Sequence, residues 1–179
     1  MKSINLITDL LVYFDNLTIQ KLTLEPQNAA YEGACFQLKG QRYRSRLAKL
    51  TPKKAGYFVV FWEKDANADN QPYDFATSPD QLIISVIDGH RKGQFIFPKS
   101  VLLAKGILSG PHGAGKMASR VYPSWVKDLN PSAQGTKRWQ APYFIDLSAE
   151  IDRRVLHLLY FPESDGDVSD FKVDNQKKR

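Results

Sequence analysis

Two residues in the middle of the chain have the types and the placement to hold a divalent cation. Asp80 stands just before the apolar run LIISVI (Leu82–Ile87), and Gln94 opens the next run, QFIF (Gln94–Phe97), after the turn signal Asp88-Gly89-His90. A carboxylate at one strand's start and a polar group on its neighbour can converge on one Mg or Mn ion that activates water for phosphodiester hydrolysis. A lysine such as Lys49 would then stabilise charge in the transition state. Gln94 offers a neutral carbonyl where a carboxylate would bind better, and Ile96 stands where such sites carry lysine. The competing reading is that Asp80 ends a turn.

Other motifs point away from nucleotide or nucleophilic chemistry. Gly110-Pro111-His112-Gly113-Ala114-Gly115-Lys116 has the spacing of a phosphate-cradling loop, but Met117 replaces the Ser or Thr that ligates magnesium. A helix is expected before this loop and a short strand after it, the reverse of what a nucleotide phosphate needs. No nucleotide is therefore expected there; Lys116 and Arg120 are read instead as contacts to a phosphate backbone. His90, His112 and His157 are too scattered for a metal site, with His157 read as a core-edge residue. Cys35 lies in an apolar strand with no sign of activation and cannot form an internal disulfide.

Charge is the stronger signal. The 179 residues hold 25 Lys and Arg against 19 Asp and Glu, a net charge of +6. Between Lys39 and Lys54 lie Lys39, Arg42, Arg44, Arg46, Lys49, Lys53 and Lys54, with no acid. The stretch after Pro162 reverses this with Glu163, Asp165, Asp167, Asp170 and Asp174 before Lys177-Lys178-Arg179. A basic body points to polyanions, because binding them releases condensed counterions. Aromatic residues (Tyr57, Phe58, Phe61, Trp62, Trp125, Trp139, Tyr143, Phe144) are numerous enough to stack bases. At strand and helix spacing such residues more often form a core.

The elements that must position these residues follow from periodicity. Ile7, Leu10, Leu11 and Phe14 mark one face of an N-terminal helix that Ser3 could cap. Cys35–Leu38, the turn Lys39-Gly40-Gln41 and Arg42–Lys49 predict a hairpin. In its second strand Arg42, Arg44 and Arg46 share a face, which must meet water or an anion. Thr51-Pro52-Lys53-Lys54 breaks the pairing. Tyr57–Trp62 (YFVVFW), Leu82–Ile87 and Gln94–Phe97 read as buried strands. Helices are predicted over Lys99–Leu108 and Ile151–Phe161, a helix or helix–turn over Thr136–Leu147, and a short strand at Arg120–Tyr122. The result is an α/β or α+β domain, residues 1–161, built on one central mixed sheet flanked by helices, with a charged and flexible tail over 162–179. Hydrophobic residues at 42% exclude wholesale disorder, and no apolar run nears the roughly 18 residues that cross a bilayer. With no signal-type N-terminus, a cytoplasmic location and no membrane partner are expected.

The segments RLAKLTPKKAGYFVVFWEK (Arg46–Lys64), GQFIFPKSVLLAKGILS (Gly93–Ser109), GKMASRVYPSW (Gly115–Trp125) and TKRWQAPYF (Thr136–Phe144) resemble the bacterial MepB-like proteins. Their fold is similar to that of the PD-(D/E)XK endonucleases, and the resemblance implies a restriction-endonuclease-like core. It places Asp80 at the first acidic position and Gln94 at the second, with Gln94 replacing the acid and Ile96 the lysine. Three functions follow as expectations. The first is nucleic-acid binding, to DNA or RNA, through Arg46, Lys49, Lys53, Lys54, Lys116, Arg120 and Lys137. The second is an Mg- or Mn-dependent nuclease using Asp80, Gln94 and Lys49, with Asp80 on the metal. The third is a regulatory protein-interaction module.

Overall fold

The computed structural model describes residues 1–163. Its centre is a six-stranded mixed sheet flanked by helices, as expected. In chain order the sheet comprises β1 (Gln20–Leu24), β2 (Ala34–Leu38), β3 (Gln41–Leu47), β8 (Gln81–Asp88), β9 (Arg91–Pro98) and β11 (Phe144–Asp146), which also lie side by side in that order. Neighbours run antiparallel except β3 and β8, which are parallel. Short turns join β2 to β3 and β8 to β9. In the first, Lys39 and Gly40 both have positive φ (50° and 81°), the geometry of the two-residue hairpin turn in which glycine is strain-free.

A parallel pair needs a long connection, and the one from β3 to β8 builds a second sheet. At Ala48 the chain leaves the main sheet and forms β4 (Lys49–Thr51) and β5 (Lys54–Val60), then the small hairpin β6 (Trp62–Lys64) and β7 (Asn70–Pro72). β10 (Ala118–Val121) adds to β5, giving a three-stranded sheet in the order β10-β5-β4. Of the YFVVFW run, Tyr57–Val60 belong to the central strand of this smaller sheet and Trp62 begins β6; the strand is not buried on both faces, since Phe58 lies on its outer side. Thr51-Pro52-Lys53-Lys54 is a hairpin turn rather than a break, since Thr51 pairs Lys54.

The apolar residues of β8 and β9 are buried on both faces because different layers cover each. Leu82, Ile84, Val86, Phe95 and Phe97 meet Tyr57, Val59 and Val121 of the second sheet, and Phe61 just after β5. Ile83 and Ile96 meet the opposite layer, α1 (Lys2–Leu10), the 3-10 turn Leu11–Phe14 and α4 (Arg153–Tyr160). Ile83, Ile84, Phe95 and Ile96 are fully buried, and each such side chain stabilises the fold by about 1.5–3 kcal/mol.

Several boundaries differ from expectation. Ser3 does not cap α1 but lies inside it. Its amide and hydroxyl, with the amide of Lys2, donate to the carboxylate of Glu32 at 2.7, 2.7 and 3.0 Å. α2 (Lys99–Ala104) stops short of Leu108. Thr136–Leu147 is not one helix: α3 (Pro131–Gln140), capped by Asn130, runs into a 3-10 turn at Ala141–Tyr143 and then β11 at the sheet edge. His157 is exposed rather than part of the core, its ring 5.4 Å from Phe161 and 6.1 Å from Phe14. No helix among the described residues is long and apolar enough to cross a membrane. The expected tail falls, from residue 164 onward, outside the described residues.

Candidate nucleic-acid interface

The outer face of the three-stranded sheet gathers cations and aromatic rings by register. Lys49 of β4 lies opposite Phe58 of β5, and Phe58 lies opposite Arg120 of β10. Directly opposed residues share a face, so the three form a row across the sheet. Tyr57 and Val59 point the other way, into the core. Tyr31, from the 3-10 segment Pro26–Tyr31, extends the row: its ring lies 6.1 Å from that of Phe58 and 4.7 Å below the Lys49 ammonium. The Arg120 guanidinium stands 5.9 Å from the Phe58 ring. Each cation–ring contact at such exposure stabilises by about 0.5–1 kcal/mol.

Arg120 also shapes the turn that presents the remaining lysines. Nη1 donates to the carbonyls of Ala55 (3.2 Å) and Gly56 (3.3 Å), and Nη2 to Oγ1 of Thr51 (2.5 Å). The clamp holds Lys53 and Lys54 exposed at the tip of the β4–β5 hairpin. Gly56 permits it: φ is +78°, and a Cβ there would meet the Tyr122 ring at 2.6 Å. Among the described residues, none of Lys49, Lys53, Lys54 and Lys116 has a carboxylate within salt-bridge reach.

A buried ionic cluster anchors the start of the segment that carries Tyr31. β3 turns Arg44 and Arg46 inward, and the anion their face requires is Glu25. Arg44 Nε lies 3.0 Å from Glu25 Oε1, and Arg46 Nη1 pairs with Oε2. Tyr73 completes the cluster, with its ring 3.5 Å from the Arg44 guanidinium and its hydroxyl accepting from Arg46 Nη2. Burial pushes the Tyr73 phenol far above its ordinary range, though both guanidiniums pull the other way, so the hydroxyl stays protonated. Asn28 Nδ2 donates to the carbonyl of Trp62 (2.8 Å) and to the Tyr73 hydroxyl (3.2 Å), pinning the segment that carries Tyr31. Burial, then Glu25, raises the Cys35 thiol, in keeping with an unactivated cysteine.

Two expected phosphate contacts are corrected. Arg46 is fully buried and its charge is taken by Glu25. Lys137 directs its ammonium at the carbonyls of Ser124 (3.1 Å) and Val126 (2.6 Å). Burial, then the charge of Lys127, lowers its affinity for a proton. Lys116 is exposed, but at the end of β10 away from the Lys53–Lys54 turn. The glycine-rich loop follows α2 and precedes β10, the order expected.

The proposed metal site does not assemble. Gln94 pairs with Ser85, five residues beyond Asp80 on β8, which separates the two by roughly 17 Å at strand rise. Gln94 is fully buried under α4: its Oε1 accepts from the Tyr160 hydroxyl (2.7 Å), and its Nε2 donates to Ser85 (3.1 Å). Asp80 accepts from the Arg42 amide (2.9 Å) and faces the Arg42 guanidinium at 3.6 Å. Lys49 belongs to the sheet that covers the other face. The described residues hold no cluster of three or more His, Cys, Asp or Glu, so Mg or Mn does not fit Asp80 and Gln94. Sequence reading missed Tyr31, Glu25 and Tyr73. The only signal was that the arginine face of β3 must meet water or an anion, and nothing in the spacing identified Glu25.

The MepB-like family model matches residues 25–146. The crystal structure of MepB is 43% identical, with a TM-score of 0.74, and the alignment covers 84% of this chain and 100% of that one. The structure of a bacterial homing endonuclease aligns at 14% identity and a TM-score of 0.44, over 77% of this chain and 87% of that one; overlap of that extent supports no functional inference. No curated protein sequence matches the chain.

Proposed function

The chain belongs to the MepB-like family, and we propose that it binds nucleic acid through the outer face of β4, β5 and β10. Lys49, Lys53 and Lys54 take phosphates, Arg120 adds charge and holds the turn, and Lys116 extends the contact along the strand. The observation behind this reading is the row Lys49–Phe58–Arg120 with Lys53 and Lys54 at the adjoining hairpin tip, three lysines with no carboxylate partner among the described residues. Unpaired ammonium groups on one face bring counterion release without first breaking an internal ion pair. Hydrolysis has no comparable support, because Asp80, Gln94 and Lys49 do not come together.

Binding of labelled DNA and RNA, measured against salt, tests the proposal. Each lysine–phosphate contact contributes about −0.9 to the log–log slope on duplex DNA and about −0.7 on a single strand. Lys49→Gln should flatten the slope by just under one unit and leave the fold intact. No binding at low salt, or a slope near zero, would overturn the proposal.

A further inference from the structure

Resting on that reading, we propose that the polymer is single-stranded and that Phe58 and Tyr31 receive the faces of unpaired bases. Phosphate recognition needs only cations, and a row of lysines would serve any polyanion. Here the centre of the row is an aromatic ring on the middle strand, partly buried but not closed off, with a second such ring beside it. Neither ring belongs to either buried core cluster. Lys49 and Arg120 flank Phe58 from the two neighbouring strands, roughly 10 Å apart across the sheet at ordinary strand spacing. A base seated on Phe58 would thus have its backbone phosphates beside cations on both sides. Bases in a duplex hide their faces in the stack, whereas an unpaired strand can turn them onto aromatic side chains, with little regard for sequence.

The buried cluster supports the same conclusion from below. Asn28 and Glu25 anchor the start of the segment Pro26–Tyr31, and the Tyr31 ring itself rests beside Phe58 and under Lys49. A ring fixed at the surface loses little side-chain freedom when a base stacks on it.

The experiment compares three probes of equal length on the intact chain: a homopyrimidine strand, an abasic strand of the same backbone, and a duplex. The homopyrimidine strand should bind at least about tenfold more tightly than the abasic one, and more tightly than the duplex. Phe58→Leu and Tyr31→Leu, which keep apolar bulk but remove the ring, should each reduce that preference by about fivefold or more. The salt slope, set by the lysines, should not change. Phe58→Tyr and Tyr31→Phe should restore the preference, which a merely structural role for the rings would not predict. Equal binding of all three probes, or a preference unmoved in both leucine variants, overturns the single-strand inference and leaves phosphate binding standing. Failure of every probe to bind at low salt overturns both. If a leucine variant does not fold, the wild-type comparison of abasic and homopyrimidine strands decides.

Discussion

Glu25 holds two guanidinium groups in a site where water hardly reaches. Its own side chain is 12% exposed, that of Arg44 10% and that of Arg46 0%. One carboxylate against two cations leaves the cluster net positive, and Arg46 Nε has no partner. Removing the carboxylate charge would strand both guanidiniums, and breaking a buried pair in this way costs about 3–5 kcal/mol. Glu25→Gln, nearly the same shape, should therefore lower the urea midpoint sharply with little change in the slope of the unfolding transition. Arg42→Gln, at the exposed pair with Asp80, should shift stability by no more than about 1 kcal/mol. Equal losses at the two sites would show that burial of the cluster contributes nothing. The alternation of arginines in β3 was legible from the sequence, as was the requirement that their face meet water or an anion. The partner was not, because a carboxylate from 19 residues upstream meets Arg44 only once β1 and β2 have paired.

At the scale of elements, α1 depends on a residue outside itself. Glu32 accepts the first amides of the helix. Burial works against its charge, but the bonds from Ser3 and Lys2 outweigh it and hold the carboxyl below its ordinary value near 4.5. Because the folded form binds a proton less readily than the unfolded one, the stabilisation is complete above that ordinary value and disappears as pH falls through the lower, folded one. Glu32→Ala should cost about 1 kcal/mol at neutral pH, as loss of a helix cap does. The gap between variant and wild type should close in acid; a gap that stayed constant down to complete protonation would exclude the cap. Sequence placed a helix here because Ile7, Leu10 and Leu11 recur at helical spacing. It named Ser3 as the cap because local pattern cannot register an acceptor 29 residues away. The β2–β3 hairpin, β8 and β9 were readable for the same local reason, apolar runs bounded by turn residues. β11 was not: three residues after a 3-10 turn have no period, and only pairing with Gly93, Gln94 and Phe95 makes them a strand.

Across the whole molecule, net charge said that cations exceed anions but not which of them face solvent. The two sheets sort them. Arg44 and Arg46 are drawn between the layers, Lys137 is turned onto backbone carbonyls, and Lys49, Lys53 and Lys54 remain on the outer face of the smaller sheet. That smaller sheet was the part of the architecture least legible in advance. A buried strand reads the same whichever sheet it joins, and the switch at Ala48 leaves no mark in composition. The sorting makes a prediction that sequence alone would get wrong. Counted as charges, Lys54 and Lys137 are equal. In the fold, Lys137→Met removes two hydrogen bonds to carbonyls and should destabilise by about 1–2 kcal/mol, while the salt dependence of nucleic-acid binding stays as it was. Lys54→Gln should do the opposite, flattening the salt slope by just under one unit with stability changed by no more than about 0.5 kcal/mol. Thermal or urea unfolding and salt-titrated binding on the same two variants measure both quantities. A slope that fell with Lys137→Met and held with Lys54→Gln would move the binding face off the three-stranded sheet and toward α3.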